Sequence, residues 1–157
     1  MKILIVYDSL YGNTEKIAGS IADVYTDQQV KLKYLKYFTL SDLADLDLLI
    51  AGSPTHGGRP SQGMKDFLSA LPVGSLKNIK AAAFDTGIPV DEKKGFVRLV
   101  IRFLGYASKH IANALRKNGA TVLAAETFFV LDKEGPLKEG EVERSKQWAG
   151  DLLKRKQ

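Results

Sequence analysis

A parallel β-sheet packed between two layers of helices is predicted by three features of this sequence. Short apolar runs alternate with stretches of helical periodicity along the whole chain. The central runs are continuously apolar, as strands buried on both faces must be, rather than alternately apolar and polar. The turns that follow them are dense in Gly, Ser and Thr, residues that suit a chain bending from a strand into a helix.

The elements follow in order. Ile3-Leu4-Ile5-Val6-Tyr7 is a buried central strand, and a polar, Gly-containing turn follows it over residues 8–13. Ile17, Ala18, Ile21, Ala22 and Tyr25 recur at helical spacing. Val30, Leu32 and Tyr34 alternate with lysines, which places that strand near a sheet edge. Leu48-Leu49-Ile50-Ala51-Gly52 is a third strand, and residues 53–60 read as a loop. Met64, Phe67, Leu68 and Leu71 mark a second helix. Ala81-Ala82-Ala83-Phe84 is a fourth strand ending at Asp85-Thr86-Gly87. Ile111, Ala112 and Leu115 mark a third helix with Gly119 placed to cap its end. Val122-Leu123-Ala124-Ala125 is a fifth strand. Val142, Ala149, Leu152 and Leu153 line a last helix, whose basic end suits the helix dipole. Tyr25, Tyr34 and Trp148 read as packing residues. No repeat or linker interrupts the pattern, so residues 1–157 read as one domain.

Composition narrows the chemistry. The chain contains no cysteine, which removes disulfides and thiolate metal sites, and its two histidines are too few for a His-rich metal centre. Redox chemistry would therefore need a bound organic cofactor. The first apolar run is too short for a signal peptide or a membrane span, so a cytoplasmic protein without a membrane span is expected. The net charge of +5 is carried entirely by residues 90–118, which hold seven Lys/Arg and two acidic residues. Such a patch suits an acidic partner through electrostatic steering. A solvated face is the plainer reading. Nothing in the sequence points to nucleic acid.

In an open parallel sheet, ligands bind beyond the carboxyl ends of the strands. The turns after strands one, three and four therefore converge on the expected site. Ser9-Leu10-Tyr11-Gly12-Asn13-Thr14 leads into a helix N-terminus, whose unsatisfied N–H groups and partial positive charge hold an anion. Gly12 allows close backbone approach, and the loop holds no Lys or Arg, so a phosphate here would rest on neutral donors. The same residues would also serve simply to cap a helix. No Gly-x-Gly-x-x-Gly follows the first strand and no Gly-Lys-Ser/Thr loop is present, which argues against dinucleotide and P-loop sites. Ser53-Pro54 stands where a phospho-receiver would need an acceptor Asp.

The run Ile5 to Ala18, with Tyr11-Gly12-Asn13-Thr14-Glu15-Lys16 at its centre, resembles the phosphate loop of flavodoxins, and particularly the flavodoxin domains of flavodiiron proteins. Gly52-Ser53-Pro54-Thr55-His56-Gly57-Gly58 is similar to the second flavodoxin loop, and Asp85-Thr86-Gly87-Ile88 falls where the third lies. The resemblance implies a flavodoxin-like three-layer α/β sandwich, a five-stranded parallel sheet in the order 2-1-3-4-5, and bound flavin mononucleotide (FMN). It implies that Ser9, Tyr11, Gly12, Asn13 and Thr14 hold the phosphate. Pro54, Thr55, His56, Gly57 and Gly58 would line one side of the isoalloxazine ring, and Thr86, Gly87 and Ile88 the other. The Gly57-Gly58 peptide is where flavodoxins turn a carbonyl towards flavin N5. No catalytic side chain and no metal ligand is implied.

Two departures stand out. His56 replaces the tryptophan common in the second loop, and the third loop has no tyrosine in register, which leaves Phe96 as the aromatic expected to reach the ring. Without that shield, and with basic residues nearby, the second reduction potential is expected to be less negative than is usual in the family. His56 is either a group coupling reduction to pH or a turn residue without a role. The leading functional expectation is a one-electron carrier between redox protein partners, one of them with an acidic docking face. The alternative is an FMN-dependent NAD(P)H or quinone reductase of the same fold, and whether the chain is an enzyme stays open. A flavin-free interaction module is the third reading. The apolar segment 96–104 is expected to bury within the monomer, the other outcome being a surface through which copies associate into a homo-oligomer.

Overall fold

The structure, a computed structural model, describes residues 1–90, 95–96, 98–99 and 105–155. Strand β1 (Lys2–Tyr7) leads into α1 (Asn13–Ala22), and β2 (Gln29–Tyr34) follows after a short 3₁₀ turn over Asp23–Tyr25. Then come β3 (Leu48–His56), the two-residue strand β4 (Arg59–Pro60), α2 (Gln62–Ala70) and β5 (Lys80–Gly87). The chain ends with α3 (Ala107–Lys117), β6 (Thr121–Phe129) and α4 (Glu141–Lys154). The five long strands are parallel in the order β2-β1-β3-β5-β6, and β4 pairs antiparallel with the end of β3. This is the predicted sheet order with one short strand added.

Because strand side chains alternate between faces, the apolar runs divide into two cores. Leu4 and Val6 of β1, Leu49 and Ala51 of β3, and Ala81 and Ala83 of β5 pack against Met64, Phe67 and Leu68 of α2 and Ile111, Ala112 and Leu115 of α3. Ile3, Ile5, Leu48, Ile50, Ala82 and Phe84 face the other way, onto Ile17, Ala18 and Ile21 of α1 and Trp148, Ala149 and Leu152 of α4. Phe84, Phe128 and Trp148 meet edge to face, with centroids 5.9–6.4 Å apart. Tyr25 and Trp148 are core residues, as expected. The lysine-bearing β2 lies at the edge, with most of its residues partly or fully exposed. Gly119 adopts φ +100° just past α3, and its N–H returns to the Arg116 carbonyl.

Several expectations need correction. Tyr25 lies beyond α1, in the 3₁₀ turn. Residues 53–60 are a β-hairpin, not an open loop. Gly57 and Gly58 take φ +55° and +77° between the paired residues His56 and Arg59, and a two-residue hairpin turn of the type that matches strand twist requires positive φ at both positions. β6 continues four residues beyond the predicted strand, because Phe128 fills the space beside Phe84. A register shift in β6 between its pairings with Ala81 and Ala82 marks a bulge. Val142 is exposed rather than core-facing. Most of segment 96–104 lies outside the described residues. Its described apolar members Phe96 and Leu99 are 78% and 51% exposed, against the expectation of burial. Of the basic stretch, Lys93, Lys94 and Arg102 lie outside the described residues, whereas Lys109, Arg116 and Lys117 stand exposed on α3. No helix among the described residues is long and apolar enough to cross a membrane.

Candidate functional site

Parallel strands bring the three Gly/Ser/Thr-rich turns to one end of the sheet, and there they enclose a cleft of about 70 Å³. Its walls are Tyr11, Asn13 and Thr14 from the first turn, Pro54, Thr55 and His56 from the end of β3, and Thr86, Gly87 and Ile88 from the end of β5. Leu10, Val130 and Lys133 complete it. The Thr14 and Thr86 hydroxyls lie 2.8 Å apart, both buried, so a hydrogen bond joins the first and third turns at the cleft floor.

Ser9 and Gly12 shape the first turn instead of lining the cleft. The Ser9 hydroxyl accepts the Gly12 N–H at 3.1 Å, and Gly12, at φ +85°, lets the chain enter α1 with no side chain over the entry. Gly12 carries no side-chain cap for α1; the Ser9 hydroxyl accepts the Glu15 N–H at 3.4 Å, whereas no side chain among the described residues accepts the N–H of Asn13 or Thr14. Asn13 turns its amide away and donates to the Glu134 carbonyl at 3.0 Å. Gly135 packs so closely on that amide that a Cβ there would meet it at 2.7 Å. This contact holds the 131–137 loop over the first turn. Gly57 and Gly58 form the hairpin tip beside the cleft, and His56 is exposed at its rim.

Two residues missed by sequence reasoning contribute here. Lys133 reaches the cleft from the loop after β6, which the first turn's lack of basic residues had given no reason to examine. Tyr106, just before α3, brings an aromatic ring to the third turn, behind Gly87 and outside the residues that line the cleft. Its ring lies against Gly87, where a Cβ would approach it at 3.0 Å, and its hydroxyl donates to the Ile88 carbonyl at 3.0 Å. Phe96 is absent from the cleft walls.

Beneath the cleft, Asp85 is fully buried. It accepts hydrogen bonds from the Thr55 hydroxyl, from the Thr127 hydroxyl at 2.8 Å and from the Ser108 N–H at 3.2 Å. Burial raises its pKa to about 6, against the opposing pull of those three donors. Thr55 also accepts the Ala107 N–H at 2.9 Å, so the carboxylate ties β3, β6 and the start of α3 together. On the other side, Asp8 accepts from the Ser9 N–H at 3.0 Å, the Tyr34 hydroxyl at 2.9 Å and the Ser61 hydroxyl at 2.5 Å, joining the first turn to β2 and α2.

A larger groove of about 700 Å³ lies between β2 and α2, bounded by Tyr34, Phe38, Phe67, Asp8 and Asp66. It is largely apolar, includes two carboxylates and is not built around a helix N-terminus, so it suits a phosphate poorly despite its size.

An α/β sheet with a polar, glycine-bearing cleft at its carboxyl end, entered by a helix N-terminus, defines a nucleotide-type cofactor protein. The family model for flavodoxin matches residues 5–148, and the chain belongs to the flavodoxin family. It is 38% identical to a flavodoxin of Aquifex aeolicus over 69 residues, 42% of this chain and 37% of that protein. It is also 38% identical to the rubredoxin-oxygen oxidoreductase of Megalodesulfovibrio gigas over 61 residues, 35% of this chain and 15% of that protein. The aligned regions thus span about a third or less of these relatives. Among solved structures, a flavodoxin from the domain Archaea superposes with a TM-score of 0.77 at 22% identity and complete coverage of both chains. The flavodiiron protein of Giardia intestinalis superposes with a TM-score of 0.73 at 21% identity, over 98% of this chain and 36% of that one. The cofactor of this family is FMN, and the family role is electron transport.

Proposed function

We propose that the chain, as a single flavin domain over residues 1–157, carries one electron at a time between redox protein partners on FMN held in this cleft. The observation that carries this reading is the convergence of three separate turns on one cleft with the N-terminus of α1 at its end. Bound FMN supplies the reversible one-electron chemistry, and the protein supplies position and charge. Ser9, Tyr11, Gly12, Asn13 and Thr14 form the phosphate end: Ser9 sets the turn, Gly12 opens it, and Thr14 offers the remaining capacity of its hydroxyl. Lys133 adds the positive charge that the turn lacks. Pro54, Thr55, His56, Gly57 and Gly58 flank one side of the ring, and Thr86, Gly87 and Ile88 the other, with Tyr106 backing Gly87. The enclosed volume is too small for an isoalloxazine ring, so Pro54, His56 and Ile88 would hold the ring at the mouth, with an edge left towards solvent. That edge is where a partner would take or give an electron.

We read the carrier as cytoplasmic, with an acidic partner facing the basic surface of α3. The exposed rim at His56 favours one second reading, an NAD(P)H or quinone reductase, because a flat substrate could stack there. Anaerobic photoreduction of the FMN-loaded protein separates the two. A long-lived one-electron-reduced spectrum with no NAD(P)H turnover supports the carrier. Turnover without that spectrum supports the reductase. A colourless protein that ignores added FMN overturns both.

A further inference from the structure

The Gly57-Gly58 turn sends the chain from the cleft wall into a second groove. His56 pairs with Arg59 across the hairpin, so Arg59 leaves the rim on the far side of the turn. There it joins Lys65 of α2 and His110 of α3 around a shallow groove of about 200 Å³. Pro60, Leu68 and Ala114 also line it, and no carboxylate does among the described residues. None of the ion pairs among the described residues involves Arg59, Lys65 or His110. Asp66, the neighbour of Lys65, lines the large groove beside Asp8 instead and accepts from Gln62 at 2.8 Å. Lys109, Arg116 and Lys117 extend the positive surface along α3.

Three basic side chains from three elements, gathered on apolar residues with no counter-charge among the described residues, are placed to receive carboxylates. We propose that this groove is the docking site for an acidic redox protein, whose carboxylate side chains seat between Arg59, Lys65 and His110 and bring its redox centre to the flavin edge. The inference rests on the carrier reading and names the surface that would serve it. The cations steer the encounter, and Pro60, Leu68 and Ala114 give the partner a dry contact once it arrives. A nucleotide suits the groove less well, because no aromatic ring among the described residues lines it to stack on a base.

The test uses FMN-loaded, photoreduced protein in stopped-flow mixing with two one-electron acceptors, acidic plastocyanin (copper(II) to copper(I)) and basic cytochrome c (iron(III) to iron(II)). Arg59→Glu with Lys65→Glu is expected to slow transfer to plastocyanin about tenfold or more at low salt. Transfer to cytochrome c should stay level or quicken, and salt should shrink the difference. Lys77→Glu, before β5 at the opposite end of the sheet, should change neither rate more than about twofold. The Gln pair at positions 59 and 65 should give an intermediate effect, which holds the test if the Glu pair folds poorly. Unchanged FMN affinity shows that the cleft is intact. An equal slowing by Lys77→Glu, no slowing by either groove pair, or saturable NADPH oxidation lost on groove substitution would each overturn the docking site. A wild-type protein that takes up no FMN overturns the carrier reading and the docking site with it.

Discussion

Lys133 and Asp85 are the two charged residues on which the cleft most depends, and they act in opposite ways. Lys133 brings an exposed cation to a phosphate end otherwise built from neutral donors. A charge-assisted contact should be felt by FMN and not by riboflavin, which has the ring and ribityl chain but no phosphate. Lys133→Ala should therefore lower FMN affinity about tenfold while leaving riboflavin affinity unchanged, as read by quenching of flavin fluorescence. Asp85 is a cost accepted for position. Its pKa is about 6 in the folded protein against 3.8 for the free side chain. Between those values the folded state binds a proton that the unfolded chain does not, so stability falls as pH rises through this window. The full loss is about 3 kcal/mol, since a tenfold change in proton affinity is worth roughly 1.4 kcal/mol. Urea unfolding of the apoprotein at pH 4 and pH 7 should show that loss in the wild type, relative to Asp85→Asn.

Strand β3 shows how tightly the cleft is tied to the core. Gly52 lies against the face of Phe84 on the neighbouring strand, where a Cβ would stand 2.0 Å from the ring. Phe84 is fully buried between Phe128 and Trp148 and has nowhere to move. Gly52→Ala should destabilise the protein by about 3 kcal/mol, the upper range for forcing extra volume into a packed core. Adding Phe84→Leu should recover part of that loss in thermal unfolding, whereas independent sites would simply add. Gly52 reads in the sequence as the last residue of an apolar run and the first of a loop, and the ring that makes it obligatory comes from the neighbouring strand β5. The same limit explains the other gaps. Apolar runs and helical spacing made every long strand and helix legible, because burial writes those patterns locally. The hairpin at Gly57-Gly58 was visible as glycine but not as pairing, since Pro54 and Pro60 obscure its strand character. Lys133 reaches the cleft, and Tyr106 the back of its third turn, from remote loops. Nothing in their own neighbourhoods marks them.

The three turns of the cleft come from both halves of the chain, and their mutual contacts join residues far apart in sequence. Thr14 meets Thr86, Asn13 holds the loop at Glu134, Thr55 meets Asp85, and Asp8 meets Ser61. A ligand touching all three turns therefore binds only when the whole sheet is assembled, and its binding energy becomes stability of the entire fold. With free FMN at a hundred times its dissociation constant, the gain should be about 2.7 kcal/mol. For a chain of this size that corresponds to a rise in Tm of roughly 5–10 °C, moving with FMN concentration. Thr14→Val with Thr86→Val removes the hydroxyl pair at the cleft floor while preserving shape. If the turns act as one unit, that pair should reduce the FMN-dependent rise in Tm more than it lowers the Tm of the apoprotein. Calorimetry of both forms with and without FMN measures the two quantities together. An FMN-dependent shift unchanged by the double substitution would mean that the first and third turns hold the cofactor independently.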